Sequence, residues 1–318
     1  MTLSFLFPSL GEGLFLAILA LFIDALVGGH NLLGRVPGPD SLLRIAGLFI
    51  LDSTSSRNPG PLWAWITGVV FTLLVIFLAA GPGWLLDNIA ATTLWLVVIK
   101  AGLLALLLGQ RTVIDTARKL AGRLASPSGQ DAEGRYAAAR WMVERLNNRF
   151  ADGLIANLFW FLTGGFAGLL AFRAIAVLAA VGSPNGIRRP GDPVFWLVGW
   201  LYWLTGLIPG ILTSVALIVA GAIVAPKTAF HGAGFLFSGG LWASLPIRLW
   251  PLHVVCRSLA LALKADPDGE TSGSDWVGAK DGRARANARD VRRAMLVIVS
   301  GWLLVFAALS ALLLQVLR

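Results

Sequence analysis

The sequence contains few charged side chains. Among its 318 residues only 14% are Asp, Glu, Lys or Arg, whereas 57% are hydrophobic. A soluble domain typically carries about 25% charged and 45–50% apolar residues, so this chain has too little polar surface to face water on all sides. The composition excludes a soluble globular protein, a disordered chain and a collagen-like chain. It predicts an all-α, polytopic membrane protein.

Cysteine and histidine are also scarce. The single cysteine, Cys256, excludes an internal disulfide and a cysteine-based zinc site. His30, His231 and His253 are too widely spaced for the usual pattern of a metal site. We therefore predict no metal site.

Charge of one sign is in excess, because 26 Lys and Arg stand against 17 Asp and Glu. Such an excess can indicate nucleic-acid binding. Here the basic residues are concentrated in two segments next to apolar stretches, which is typical of cytoplasmic loops of membrane proteins. We therefore expect membrane lipids as partners and no nucleic acid.

Apolar stretches that could cross a bilayer, which requires about 20 residues each, occur six times. The first lacks a basic n-region and a cleavage site, so we expect it to remain as a span. With both basic segments in the cytoplasm and Gly81–Asn88 as an outer turn, six spans place both termini outside a bacterial inner membrane. The stretches are Gly13–Val27, Leu62–Ala80, Ile89–Leu108, Gly153–Val181, Val194–Val224 and Ala294–Leu317.

Two segments are expected to differ from plain helices. Pro209 lies in the middle of the fifth stretch and should kink or break it near a cavity. Phe230–Val255 is apolar but interrupted by glycines and prolines. This pattern predicts a re-entrant or protein-buried segment, with a seventh span as the alternative. The glycines of Gly164–Gly168 follow no strand, so we interpret them as close helix contacts rather than a phosphate loop.

We expect a single integral membrane domain over residues 1–318, with two cytoplasmic loops. Residues 109–152 should contain an amphipathic helix over Asp131–Arg149, because apolar residues recur there at helical spacing. Residues 257–293 should form a basic, partly mobile loop, since Ala265–Arg283 is rich in Asp, Gly and Ser. The helical spacing is that of Tyr136, Ala139, Val143 and Leu146.

Five polar side chains are candidates for substrate binding, because an ionisable residue in a membrane is costly and suggests a function. Asp24 lies in the first stretch, and Arg173 lies about 20 residues into an apolar stretch. Glu144, Arg149 and Asp152 cluster where the cytoplasmic helix meets the membrane, and arginine suits phosphate or carboxylate. The alternatives are a capping role for Asp24 and surface ion pairs for the cluster. No catalytic residue is predicted.

The stretch from Glu144 to Val181 reads ERLNNRFADGLIANLFWFLTGGFAGLLAFRAIAVLAAV. It resembles the central segment of the CobD/CbiB family, with Asp152-Gly153 and Gly164-Gly165 among the matching positions. Asp24-Ala-Leu-Val-Gly28 and Leu207-Ile208-Pro209 resemble two further motifs of that family, in the same order along the chain. The other matching positions of the central segment are Glu144, Leu146, Ile155, Ala156, Leu158, Phe159, Gly168, Arg173 and Ala174.

The resemblance implies an integral membrane protein of cobalamin biosynthesis. Such a protein would condense adenosylcobyric acid with an aminopropanol, or its phosphate, to give adenosylcobinamide or its phosphate. A corrinoid is then the expected substrate. ATP and Mg²⁺ are expected as co-substrates, with no firmly bound cofactor.

The chain departs from that family at several polar positions. Asn148-Arg149 stand where the family has Glu-Asn, and Tyr202-Trp203 stand where it has an acidic pair. The central segment is also similar to AmpE proteins, which are regulatory membrane proteins. The alternative is therefore a catalytically degenerate AmpE-like homologue that docks membrane-protein partners or forms a homo-oligomer. A transporter is a third hypothesis, and whether the chain is an enzyme stays open.

Overall fold

The fold is taken from a computed structural model. It describes residues 10–27, 44–45, 47–48, 61–89, 93–125, 132–182, 195–226, 228, 232–234, 249–264, 276–279 and 281–318. The helices are α1 (Leu10–Val27), α2 (Pro61–Asn88), α3 (Leu94–Leu108), α4 (Gln110–Ala125), α5 (Ala132–Phe150), α6 (Ala156–Gly182), α7 (Trp196–Val224), α8 (Leu249–Ser258) and α9 (Ala288–Val316). A π turn, Ala151–Ile155, joins α5 to α6, and strands β1 (Ala262–Lys264) and β2 (Trp276–Gly278) precede α9.

Six helical segments of the described chain are long and apolar enough to cross a membrane. The predicted all-α, polytopic architecture is therefore confirmed. Many large apolar side chains on these segments are exposed, as expected for helices that face lipid. The segments are Leu10–Val27, Leu62–Asn88, Leu94–Ala125, Glu133–Val181, Trp196–Val224 and Ala288–Val316.

Helix α2 continues to Asn88, so the turn predicted at Gly81–Asn88 is wrong. This part of α2 packs directly against the backbone of α6, because a Cβ atom at Gly83 would lie only 2.5 Å from the Phe166 carbonyl oxygen. The close contact accounts for glycine at position 83 without a turn there. The next helix, α3, begins at Leu94 rather than at Ile89.

Helix α7 is continuous from Trp196 to Val224, so a break at Pro209 is wrong. The expected position of Pro209 beside a cavity is confirmed. Proline lacks an N–H group and normally leaves the carbonyl four residues earlier without its helical partner. That carbonyl belongs to Thr205, and it accepts a hydrogen bond of 3.1 Å from Nε1 of Trp160 on α6. A neighbouring helix therefore satisfies the group that Pro209 leaves exposed.

Helix α6 is interrupted at Gly164-Gly165, where the backbone leaves helical geometry. Gly165 has φ +64° and ψ −157°, a conformation essentially restricted to glycine. The restarting helix presents the N–H groups of Phe166 and Ala167 to the two carboxylate oxygens of Asp87, at 2.9 and 3.0 Å. A Cβ at Gly164 would meet nothing within 4 Å. Gly165 thus provides this backbone conformation and also the close helix contact that we predicted, since a Cβ there would lie 2.6 Å from the Asp87 carboxylate on α2.

The segment 109–152 forms two helices, α4 and α5, separated by residues outside the described set. Helix α5 corresponds to the predicted amphipathic helix, and its Ala139, Val143 and Leu146 are buried. Helix α4 was not predicted. Both helices pack against α9, and the Arg285 guanidinium lies 5.6 Å from the centre of the Tyr136 ring. The two basic segments of the sequence therefore adjoin each other.

The segment before α9 contains an antiparallel pairing of β1 with β2 that the sequence analysis did not predict. Residues 265–275, which belong to the predicted mobile stretch, lie outside the described residues, as do Gly28, His30 and His231. Residues 235–248 of the Phe230–Val255 segment also lie outside. Its described end belongs to α8, whose side chains from Leu249 to Cys256 are buried.

Candidate functional site

A small cleft with a cavity volume of about 20 Å³ lies between the π turn, α7 and α8. That volume has room for about one water molecule, whereas small-molecule pockets in proteins usually measure about 300–1,000 Å³. The charged residue of its lining is Asp152, and Tyr202 and Thr213 add hydroxyl groups. The described lining consists of Ala151, Asp152, Ala156, Tyr202, Gly206, Pro209, Gly210, Thr213 and Pro251.

Asp152 reaches the cleft because it belongs to the π turn between α5 and α6. Single π turns inside longer helices are rare and frequently occur at functional sites. The Tyr202 hydroxyl lies 3.0 Å from each carboxylate oxygen of Asp152 and can donate its proton to either. The bond connects the π turn to α7 across the cleft.

Tyr202 is held by a stack of aromatic rings. Its ring lies 6.4 Å from that of Phe172, and Phe172 lies 6.3 Å from Trp160, both pairs nearly parallel. Trp160 in turn donates to the Thr205 carbonyl, one turn after Tyr202 on α7. These contacts form a closed loop between α6 and α7, which fixes the position of the Tyr202 hydroxyl.

Arg149 lies on the side of the π turn nearer to α3 and α4. A Cβ at Gly109 would overlap its guanidinium group, and a Cβ at Gly153 would lie 2.8 Å from its Cδ. Gly109 also has φ +52°, which favours glycine. The two glycines therefore create the space that the Arg149 side chain occupies. The Arg149 carbonyl accepts a hydrogen bond of 2.6 Å from Gln110 Nε2.

Asp24 is almost fully buried and lies at the start of α4. Its Oδ2 accepts a hydrogen bond of 2.9 Å from the Gln110 backbone N–H. The first N–H groups of a helix lack partners within the helix and attract negative charge. Asp24 on α1 thus makes a capping contact with another helix, which is the geometry of the alternative considered for this residue.

Arg173 lies at the opposite side of the same junction, at the end of α3. Its Nη1 donates to the Leu107 carbonyl at 3.3 Å, and Asn157 Nδ2 donates to that carbonyl at 3.2 Å. The last carbonyls of a helix lack helical partners and attract positive charge. Arg173 is thereby accommodated deep in an apolar stretch. Among the described residues, Oδ1 of Asn157 has no hydrogen-bond partner.

Glu144 lies on α5, near Cys256 of α8. Burial raises the pKa of the Cys256 thiol well above its ordinary value, and the Glu144 carboxylate adds to the effect. The thiol is therefore protonated and unreactive at neutral pH. Burial and the Arg257 guanidinium lower the pKa of His253 to about 4. Its neutral ring accepts the Gly278 N–H through Nδ1 at 3.2 Å, which attaches the β hairpin to α8.

The structure therefore divides the five predicted site residues. Asp152 lines the cleft, whereas Asp24, Arg149 and Arg173 surround the junction between α3 and α4. Glu144 lies near Cys256 of α8. Whether any of them binds substrate stays a prediction.

Two polar residues at the junction of α3 and α4 were not singled out by the sequence analysis as site candidates. They are Asn157, which donates to the Leu107 carbonyl, and Gln110, which contacts Asp24 and Arg149. Tyr202 was noted only as a departure from the family pattern. The chain has just two tyrosines, and this scarcity is the feature of the sequence that could have drawn attention to Tyr202. Within the described ranges, no group of three or more His, Cys, Asp or Glu side chains could hold a metal ion.

These features define the class: a multi-pass membrane protein with a small polar cleft between its helices. A protein of Sinorhizobium sp. named Cobalamin biosynthesis protein CobD is 30% identical over 324 residues, covering 92% of this chain and 98% of that protein. The protein of that name from Sinorhizobium fredii is 28% identical over 332 residues, covering 93% and 96% of the two chains. In Rhizobium meliloti it is 26% identical over 231 residues, covering 66% and 68%. The chain belongs to the CobD/CbiB family.

The family relationship extends along nearly the whole chain, and it confirms the resemblance found in the sequence. No protein-family model matches the chain, and no solved structure matches it.

Proposed function

We propose that this membrane protein acts in cobalamin biosynthesis and condenses adenosylcobyric acid with an aminopropanol, or its phosphate, to give adenosylcobinamide or its phosphate. The observation that carries the proposal is the relationship to proteins named Cobalamin biosynthesis protein CobD over more than nine tenths of the chain. Asp152, which matches the family pattern of the central segment, supports it, because it brings a carboxylate to the cleft between the helices.

Amide formation requires an activated carboxyl group, and ATP is the proposed source of activation. The corrinoid carboxylate takes the terminal phosphoryl group of ATP, which leaves ADP and an acyl phosphate. The amine nitrogen then forms a bond to the acyl carbon while the bond from that carbon to the phosphate oxygen breaks. Inorganic phosphate leaves, and the nitrogen gives up a proton.

Mg²⁺ is proposed to arrive with the nucleotide as part of the substrate. Mg²⁺ is usually bound through one or two carboxylates together with substrate phosphates. Asp152 provides one carboxylate in the cleft, and its oxygens lie within hydrogen-bonding distance of Tyr202. This donor set fits an ion brought by phosphates better than a resident ion. Arg149 is proposed to assist phosphate binding, because its guanidinium lies next to Gly153 beside the π turn.

The test uses the full chain purified in detergent. Adenosylcobyric acid, ATP and Mg²⁺ are mixed with aminopropanol or with its phosphate, and the product is followed by mass spectrometry. We expect a new amide product together with ADP. Asp152→Asn should slow its formation at least about tenfold, equivalent to about 1.4 kcal/mol in the barrier. Asp115→Asn is the matched control, since Asp115 forms partly exposed ion pairs on α4.

The same assay distinguishes the alternatives. Corrinoid binding without product would contradict the enzyme and favour a catalytically degenerate homologue. Absence of both binding and product would remove the cobalamin assignment and favour a scaffold that docks membrane proteins.

The proposed location is a bacterial inner membrane, with both termini outside and both basic segments in the cytoplasm. The contact between Arg285 and Tyr136 supports the placement of the two segments on one side. Reporter fusions to the C-terminus and to the segment between α4 and α5 test it. A phosphatase reporter should be active at the C-terminus and inactive between the helices, and the opposite result would reverse the topology.

A further inference from the structure

The first two turns of α9 carry three exposed arginines, Arg289, Arg292 and Arg293. Leu296, one turn further on, is 51% exposed, and Leu303 is 54% exposed. Relative to Arg289, the other four residues lie at i+3, i+4, i+7 and i+14, so all five share one face of the helix. This face, which we call the α9 stripe, changes from arginine to leucine within one helical turn.

The opposite face of α9 packs into the protein, so the α9 stripe faces the surroundings. In a membrane protein, a face that changes from arginine to leucine passes from the headgroup region into the acyl-chain region. Arg293 and Leu296 are about 4.5 Å apart along the helix axis, so the arginines border the acyl-chain region. Buried residues of the opposite face include Asp290, Val291, Ala294 and Val297.

The described part of the chain does not neutralise these arginines. Asp290, the acidic residue between them, is buried, and its Oδ1 accepts a hydrogen bond of 2.7 Å from Nη2 of Arg283. Its Oδ2 accepts a hydrogen bond of 3.0 Å from the Asn287 N–H. None of the ion pairs among the described residues involves the three arginines of the stripe. The α9 stripe therefore carries three positive charges that an external anion can neutralise.

We propose that the α9 stripe binds an anionic phospholipid, with the three arginines on its headgroup and with Leu296 and Leu303 along its acyl chains. The guanidinium group forms bidentate hydrogen bonds with phosphate, and basic clusters next to a membrane span attract anionic lipids. A lipid is the occupant because it presents a phosphate and a hydrocarbon chain together, as the stripe requires. The inference is independent of the proposed reaction, since it uses no residue of the cleft or of the α3–α4 junction.

Lipid binding to the full chain in a nonionic detergent tests the proposal. Native mass spectrometry follows titrations with phosphatidylglycerol, which is anionic, and with phosphatidylcholine, which has the same acyl chains and no net charge. We expect phosphatidylglycerol to bind at least tenfold more tightly. The difference should shrink at high salt, because salt screens exposed charges.

Substitution of the arginines tests the location of the site. The combined variant Arg289→Gln, Arg292→Gln and Arg293→Gln should bind the two lipids with affinities within threefold of each other. Arg292→Gln alone, which changes the chain least, should weaken phosphatidylglycerol twofold to threefold. Because these side chains are exposed, thermal unfolding without added lipid should be unchanged in both variants.

The matched control removes the same number of charges from exposed side chains of α4. It combines Arg118→Gln, Lys119→Gln and Arg123→Gln. This variant should keep the full preference for phosphatidylglycerol. Glycerol phosphate, which has a charged phosphate without acyl chains, should not displace the lipid from the natural chain.

Three results would overturn the proposal. Equal affinity of the natural chain for the two lipids, or an undiminished preference in the combined α9 variant, removes the site. Equal losses in the α4 and α9 variants would show that total charge rather than the α9 stripe attracts the lipid. Displacement of phosphatidylglycerol by an equal concentration of glycerol phosphate would identify a site for free phosphates and remove the assignment to a lipid.

Discussion

Helices α6 and α7 pack against each other, and each contains residues that disfavour a helix, but only α6 is interrupted. Helix α7 passes through Pro209 without a break, whereas α6 leaves helical geometry at Gly164-Gly165. In α7 the Thr205 carbonyl, which Pro209 leaves without a helical partner, accepts a hydrogen bond from the Trp160 indole N–H. In α6 the N–H groups of Phe166 and Ala167, which follow the interruption, donate hydrogen bonds to the Asp87 carboxylate.

The difference shows that a neighbouring side chain decides the outcome. An unsatisfied backbone group in the apolar part of a membrane costs several kcal/mol, on the order of a lost hydrogen bond. A donor opposite a freed carbonyl allows the helix to continue. An acceptor opposite freed N–H groups allows it to stop and restart. The junction of α3 and α4 follows the second pattern, with Asp24 as the acceptor.

The largest effect is expected from Gly165→Ala. The ε-region backbone alone costs an alanine on the order of 1–3 kcal/mol, and its Cβ would lie 2.6 Å from the Asp87 carboxylate. We expect loss of most folded protein, measured as the monodisperse fraction in detergent. Gly164→Ala, where a Cβ meets nothing within 4 Å, is the matched control. Equal yields from the two variants would contradict the role assigned to Gly165.

Asp87→Ala should have the next largest effect, because it removes the acceptor for two backbone N–H groups. Leaving buried donors unsatisfied costs roughly 1–3 kcal/mol each, and Asp87 is half-buried, so water reduces the loss to about 2 kcal/mol in total. Thermal unfolding in detergent measures it. Asp87→Asn retains one acceptor oxygen and should recover about half of the stability. Asp115→Ala, on α4, should change little, and a loss of stability there equal to that of Asp87→Ala would contradict the assignment.

A smaller effect, about 1 kcal/mol, is expected from Trp160→Phe, which leaves the Thr205 carbonyl without its indole donor. Pro209→Ala supplies a backbone N–H that can bond to the same carbonyl. In a double-mutant cycle, Trp160→Phe should therefore cost less in the presence of Pro209→Ala than in its absence. Additive effects of the two substitutions on unfolding would show that the indole bond does not compensate for the proline.

The smallest effect is expected from Asn287→Ala at the start of α9, where the cap is local. Asn287 accepts from the N–H groups of Arg289 and Asp290, and the Asp290 side chain accepts from the Asn287 N–H. Loss of such a cap costs about 0.5–2 kcal/mol, and water at this helix end keeps the loss near the lower limit. The measurement is the thermal unfolding of Asn287→Ala and of Asp87→Ala. It compares a cap from the residue next to the helix with a cap from a different helix. A larger loss for Asn287→Ala would reverse the order.

The membrane spans could be predicted from the sequence because each requires only a long apolar stretch. The amphipathic helix over Asp131–Arg149 was visible for a similar reason, since its apolar residues recur at helical spacing. The fate of Pro209 was not predictable, because it depends on Trp160, which is 49 positions earlier in the chain. The role of Asp87 depends in the same way on a helix that follows much later.

The candidate site was predictable to a similar degree. Asp152 could be found because it is an acidic residue at the edge of an apolar stretch. Its contact with Tyr202 could not, since 50 residues separate the two. Tertiary packing rather than local pattern determines which polar residues meet. The sequence therefore identified several charged side chains but not their partners.

The π turn gives the long helical segment Glu133–Val181 a change of phase. Successive α-helical residues advance about 100° around the axis, and the wider π turn holds one residue more than an α turn. If the same residues were wound as an ordinary α-helix, all 27 residues of α6 would rotate by about that angle. Trp160 and Gly165 would then point away from Thr205 and Asp87 together. The π turn therefore orients α6 so that it contacts both α7 and α2.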